Sequence, residues 1–325
     1  MRNRLLIALL LATLLMLPCA SYGKINGTFT LPDSVLLFET DSPGAPYDEL
    51  LVVSTMGTVV VQAPSSFWGQ LDTMALAPGA DRIVWGLSLH DDFEKKSFKS
   101  VLGMYSLLDK SWKTYGDFCA NGVGSAAFSP DGTKIAFASR SGITLYDSRS
   151  CSDNPYVLQI LDIATGMITT IPNSEGVMEN ARLSWSPDGR YIAFQVGGWD
   201  PPHRIALIDV VSGTKKEIAD GINPSWSPNG DWIAYTDRSM QKCILIHPDG
   251  TGAKVVRDLG KGLRFGYWIF HQGAMWSPDG KRLLFDEETV DSGGRDVTIL
   301  DLSSGKVTKV SRNSPFVLGW VAERH

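Results

Sequence analysis

Four copies of one tight turn, a short apolar strand behind each, and a second recurrent turn farther on predict an all-β fold, a six-bladed β-propeller of four-stranded antiparallel blades. The first turn reads Phe128-Ser129-Pro130-Asp131-Gly132, Trp185-Ser186-Pro187-Asp188-Gly189, Trp226-Ser227-Pro228-Asn229-Gly230 and Trp276-Ser277-Pro278-Asp279-Gly280. Its glycines lie 57, 41 and 50 residues apart, a spacing that suits propeller blades. Proline presets φ for the second turn position, Asp or Asn suits the third, and glycine takes the left-handed position that closes a hairpin. Residues repeated once per blade cannot converge on one catalytic centre. Asp131, Asp188, Asn229 and Asp279, with Gly132, Gly189, Gly230 and Gly280, therefore read as structural turn residues, and the motif tryptophans as packing between blades.

Behind the turns come Lys134-Ile135-Ala136-Phe137, Tyr191-Ile192-Ala193-Phe194, Trp232-Ile233-Ala234-Tyr235 and Arg282-Leu283-Leu284-Phe285. Consecutive residues are apolar, as expected of a strand buried on both faces between two other blades. The second turn recurs as Asp162-Ile163-Ala164-Thr165-Gly166, Asp209-Val210-Val211-Ser212-Gly213 and Asp301-Leu302-Ser303-Ser304-Gly305, with Asp249-Gly250-Thr251-Gly252 as a looser copy, and joins a third strand to a fourth. Upstream, Ala77-Pro78-Gly79 before Arg82-Ile83-Val84-Trp85 and Leu31-Pro32-Asp33-Ser34 before Val35-Leu36-Leu37-Phe38 are degenerate copies, which brings the blades to six. Expected blades cover 31–63, 73–116, 124–173, 182–220, 223–258 and 273–311. Segment 316–321, with Phe316-Val317-Leu318-Gly319-Trp320, is expected to complete the first blade, a place for which Thr28-Phe29-Thr30-Leu31 competes. Closing the ring removes strand edges that would otherwise invite aggregation.

The chain has 325 residues, 43% apolar and 20% charged, a composition that excludes disorder and a multi-span membrane protein. Arg2 and Arg4 precede an unbroken apolar run over 5–17, and small residues follow at Ala20, Ser21 and Gly23. This predicts a cleaved signal peptide over 1–23, a single domain over 24–325, and a periplasmic or secreted protein. The apolar run falls short of the about 20 residues of a bilayer span, and no later segment approaches that length. Pro18 ahead of Cys19 argues against a lipid anchor. Removing 1–23 takes away two arginines and no acid, leaving 28 basic against 35 acidic residues, a formal charge of −7. With no basic cluster beyond pairs such as Lys95-Lys96, no nucleic acid is expected as partner, and a monomer is expected. Three cysteines remain. Cys119 precedes the first strand of blade three and Cys151 lies in that blade's long loop on the same face, so the two are expected to form a disulfide; Cys243 reads as a buried thiol in a strand.

No Gly-x-Ser-x-Gly elbow, His-Glu-x-x-His helix, paired-cysteine box or Gly-rich phosphate loop occurs, and no cofactor is expected. Chemistry, if any, belongs to the loops from second to third strand and from fourth strand to the next blade, which emerge on one face. These long loops are expected at 39–48, 90–100, 140–155, 197–203, 259–273 and 286–296. They carry His90, His203 and His271 alongside Asp91, Asp92, Asp200, Glu287, Glu288 and Asp291. They also hold Trp199, Phe265, Tyr267, Trp268 and Phe270, which suit a contact surface. Alternatively, the 259–273 segment folds over the central channel and buries its own aromatics.

The Ser-Pro-Asp-Gly hairpins, with an aromatic ahead and a short apolar strand behind, resemble the TolB-type propeller repeat, a WD40-like repeat also called PD40. The likeness covers nearly the whole chain after residue 23, most strongly from Gly124 to Val310. It implies a six-bladed ring in the cell envelope that binds an envelope or cell-wall-associated protein, such as the lipoprotein Pal. The family protein carries an α/β domain ahead of its propeller, and this chain is expected to lack one. The same repeat occurs in oligogalacturonate lyase, which binds a divalent metal through histidines on one propeller face. That resemblance implies an alternative, a metal-dependent enzyme with His90, His203 and His271 as ligands. Two readings stand: a non-catalytic binding module using Trp199, Tyr267, Trp268 and Phe270, and a lyase-like enzyme at the same face.

Overall fold

The computed structural model describes residues 35–40, 49–54, 57–62, 74–79, 81–92, 97–106, 108–119, 123–140, 155–178, 182–197, 203–265, 275–291, 294–312 and 316–320, none of which is helical. They form six antiparallel sheets. From innermost to outermost strand, blade 2 runs Met74–Leu76, Arg82–Asp92, Ser97–Ser106, Ser111–Cys119, and blade 3 runs Val123–Phe128, Lys134–Arg140, Tyr156–Asp162, Ile168–Thr170. Blade 4 runs Ser184–Trp185, Tyr191–Val196, Arg204–Asp209, Lys215–Asp220, and blade 5 runs Ile222–Trp226, Ile233–Thr236, Lys242–Ile246, Lys254–Asp258. In blade 6 two short strands, Leu263–Phe265 and Met275–Trp276, share the innermost place before Arg282–Thr289, Arg295–Asp301 and Val307–Arg312. Blade 1 joins the two ends of the chain, with Phe316–Trp320 innermost against Val35–Thr40, then Glu49–Ser54 and Gly57–Gln62. Thr28 to Leu31 lie outside the described residues. Each innermost strand touches those of its two neighbours, and Phe316–Trp320 touches both Met74–Leu76 and Met275–Trp276, so the ring closes.

The core lies in the seams between blades, and the second strand of each blade explains why. Ile192 and Phe194 pack against Ala136 and Ala138 of blade 3, while Ala193 between them faces Ile233 and Tyr235 of blade 5. The pattern repeats: Ala234 of blade 5 meets Leu283 and Phe285 of blade 6, and Val84 of blade 2 meets Ile135 and Phe137 of blade 3. Alternate side chains of a strand point to opposite faces, so a large-small-large triplet turns its bulk toward the preceding blade and its alanine toward the following one. Large side chains seat on small ones around the ring, which fills the seams to interior density. Phe137, Phe194 and Phe285 are fully buried there, each contributing about 1.5–3 kcal/mol of transfer free energy.

Polar ties run beside this packing. The Trp185 indole donates to the Ala127 carbonyl of the preceding blade at 3.1 Å, and the Trp276 indole to that of Ser225 at 3.0 Å. At the intervening seam, the Trp226 amide donates to the Ser184 hydroxyl at 2.9 Å.

Candidate functional site

The up-and-down order of strands gives the ring two unlike faces. One collects the Ser-Pro-Asp-Gly turns and the turns between third and fourth strands; the other collects the remaining connections.

On the short-turn face each motif closes through its own side chains. In blade 3 the Ser129 hydroxyl donates to Asp131 at 2.6 Å and accepts the Lys134 amide at 2.9 Å, while Thr133 N–H donates to the same carboxylate at 3.0 Å. Gly132, at φ 68°, donates to the Ser129 carbonyl at 2.8 Å. Asp188 and Asp279 repeat the arrangement with Ser186 and Ser277, and Gly189 and Gly280 hold the same backbone angle. In blade 5 Asn229 bonds Asp231 instead, and Gly230 keeps the left-handed position. The Ser129 hydroxyl, aided by the Thr133 amide, holds the Asp131 carboxyl down at about 2; Asp188 and Asp279 are lowered in the same way by Ser186 and Ser277. These aspartates are anionic turn clasps with their lone pairs engaged.

The opposite face differs from blade to blade at one level of the channel wall. In blades 3 and 5 the innermost strand carries one extra residue: Val123 to Ala126 spans three steps against two on the partner strand, and Ile222 to Ser225 likewise. In blade 4, Val177 and Ser184 face Val196 and Ala193, seven steps against three. In blade 6, Phe265 and Met275 face Glu287 and Leu284, ten steps against three. One insertion point on the channel wall thus holds one, four or seven extra residues.

Beside the break in blade 6, buried carboxylates tie neighbouring strands and blades. Glu287 is buried, accepts Arg257 of blade 5 at 3.0 Å and takes a hydrogen bond from Thr298 at 2.8 Å. Glu288, on the other side of the strand and also buried, accepts Arg264 at 3.2 Å. Arg182, two residues before the innermost strand of blade 4, is largely buried, and desolvation lowers its pKa to about 10.

Several sequence expectations change here. The loop expected at 90–100 is the end of a long hairpin, Arg82–Asp92 with Ser97–Ser106, and His90 is a strand residue opposite Phe98. Backbone pairing carries this hairpin through its polar residues. The loop expected at 286–296 shrinks to the turn after Thr289, because Glu287 and Glu288 continue the strand with arginine partners. His203 is half-buried, its Nδ1 3.4 Å from Gln195 Nε2, which also lies 3.0 Å from the Met178 sulfur. Trp199, Tyr267, Trp268, Phe270, His271 and Cys151 lie outside the described residues, as do the side chains of His90 and Cys119. Cys119 itself ends the outer strand of blade 2, opposite Lys99. Cys243 is a free, fully buried thiol whose pKa burial pushes up. Among the described residues, no three His, Cys, Asp or Glu side chains gather as a metal site would require.

No protein-family model matches the chain. Over 196 residues, 59% of its length, it is 28% identical to the Tol-Pal system protein TolB of Francisella tularensis subsp. mediasiatica, and it spans only 41% of that relative. Among solved structures, TolB from Acinetobacter baumannii matches with a TM-score of 0.62 at 16% identity, over 87% of this chain and 64% of that one. An oligogalacturonate lyase from Vibrio parahaemolyticus matches with a TM-score of 0.53 at 12% identity, over 86% and 74%. At such identities the structural matches speak for the fold alone, which two different activities share. Sequence similarity and architecture agree on the fold: the chain is a β-propeller similar to that of TolB.

Proposed function

We propose that this chain is an exported, non-catalytic propeller of the cell envelope that binds a protein of the Pal kind through its long-loop face. The observation that carries this reading is the seven-residue excess in the innermost strand of blade 6, whose ends Phe265 and Met275 bracket Tyr267, Trp268 and Phe270 in the sequence. An aromatic-rich insertion beginning and ending on a channel wall is well placed to meet a ligand over the channel mouth, where several blades contribute to one surface. Trp268 is the anchor in this reading, with Tyr267, Phe270 and Trp199 around it. The resemblance to a Tol-Pal system protein supplies the partner class.

In the same reading a Cys119–Cys151 disulfide ties the end of blade 2's outer strand to the long connection of blade 3, stabilising by roughly 3 kcal/mol in the chain-entropy account. Unreduced protein with both thiols free by mass spectrometry would exclude it. The binding reading is tested by placing a photo-crosslinker at position 268 in intact cells. The expected product is one adduct with an envelope protein, absent when the crosslinker is moved to position 188 on the short-turn face. Adducts from 188 alone would refute the assignment of the face.

A further inference from the structure

The outermost strand of each blade has a hydrogen-bonding edge that no other described strand covers. Such edges pair with other chains unless they are short, charged or interrupted. Five blades follow that rule. Ser111–Cys119 carries Lys113 and Asp117; Ile168–Thr170 is only three residues long; Lys215–Asp220 carries two lysines and two acids; Lys254–Asp258 and Val307–Arg312 each carry basic residues. Blade 1 does not. Its outermost strand is Gly57–Gln62, GTVVVQ, six residues without charge or proline. The neutrality extends well beyond the strand: no charged residue occurs between Glu49 and Asp72, in a chain that is 20% charged.

The strand is also self-complementary. Antiparallel pairing with a second copy, centred on Val60, sets Val60 opposite Val60 and Thr58 opposite Gln62 on one face and Val59 opposite Val61 on the other, so apolar meets apolar and polar meets polar. A two-fold axis requires this kind of match, because one patch must serve both partners. We propose that blade 1 pairs edge to edge with blade 1 of a second copy through Gly57–Gln62, making a reversible dimer with one sheet running across the two-fold. This departs from the monomer expected from the sequence, and it uses the outer wall of the ring, independent of the long-loop face. A six-residue edge buries less than the about 1,000 Å² of a stable interface, so the dimer should be weak and concentration-dependent.

Sedimentation equilibrium over a concentration series tests this, with Val60→Lys as the variant, which sets like charges opposite each other at the two-fold axis. The expected result is a mass rising toward twice that of the chain in the parent protein and remaining at one chain in the variant, with unchanged circular dichroism. A parent protein that stays at one chain mass throughout, or a dimer that survives in folded Val60→Lys, would overturn the proposal. If that variant does not fold, hydrogen exchange on the parent decides: strand 57–62 amides should gain protection with rising concentration, and concentration-independent exchange there would overturn it.

Discussion

The two faces of this ring are built on opposite plans. On the short-turn face the same clasp recurs in blades 3, 4 and 6, a serine hydroxyl on an aspartate and a left-handed glycine, and blade 5 keeps the glycine but has Asn229 bonded to Asp231. At the opposite end of the innermost strands nothing recurs: the channel wall takes one, four, one and seven extra residues in blades 3 to 6. Repetition marks a hairpin closure that serves each of these blades alike. Variation at one fixed level marks where a single surface can be shaped without disturbing the seams.

The comparison is tested first at the seams. Phe194→Ala should cost about 3–5 kcal/mol in urea unfolding, because it empties a fully buried place against Ala136 and Ala138. A cost under about 1 kcal/mol would mean that the seams do not carry the ring. Next comes the buried ion pair between blades 5 and 6: Glu287→Ala leaves Arg257 and Thr298 without their acceptor and should cost about 3 kcal/mol. Removing Glu217 from its exposed pair with Arg204 should cost less than about 1 kcal/mol. Equal losses would show that burial does not distinguish the two pairs.

Two glycines on the short-turn face separate backbone strain from crowding. Both have φ 69°, but a Cβ at Gly213 would lie 2.3 Å from the Pro172 carbonyl oxygen, whereas one at Gly189 meets nothing within 4 Å. Gly189→Ala should therefore cost about 1 kcal/mol for the left-handed conformation, and Gly213→Ala distinctly more, by thermal unfolding. The smallest effect is on acid stability. The turn aspartates have folded-state pKa values below their unfolded ones, Asp131 at about 2, so their contribution is complete above about pH 4 and is lost as pH falls through about 2. The melting temperature should be flat from neutrality to about pH 4 and fall below it, less steeply in Ser129→Ala, whose Asp131 loses its main hydrogen bond. A fall that begins near neutrality would point to groups outside the turns.

The repeat was legible because its signals are local. A Pro-Asp-Gly turn needs those residue types wherever it occurs, and Ile192-Ala193-Phe194 is apolar throughout because both its faces are buried. Partnerships distant in sequence were not legible. Glu287 and Glu288 read as loop acids because charge ordinarily marks solvent, and only the fold brings Arg257, 30 residues away, and Arg264 against them. His90 read as a loop residue because nothing in its neighbourhood announces that a hairpin continues through polar residues. The insertions could have been found by counting from each glycine of the second turn to the next aromatic of the first. That distance varies from blade to blade, while the turns themselves hardly change.

Binding through the long-loop face is tested most directly by titrating a purified Pal-type partner into Trp268→Ala and Asp279→Asn, with melting temperatures measured alongside. Blade 5 already uses Asn at the turn position of Asp279, so Asp279→Asn is a mild change on the short-turn face. The expected result is a loss of about 2 kcal/mol or more in affinity for Trp268→Ala, with its melting temperature unchanged and the binding by Asp279→Asn equal to that of the parent. Unchanged affinity together with a lowered melting temperature in Trp268→Ala would make that residue a plug of the channel and contradict the account.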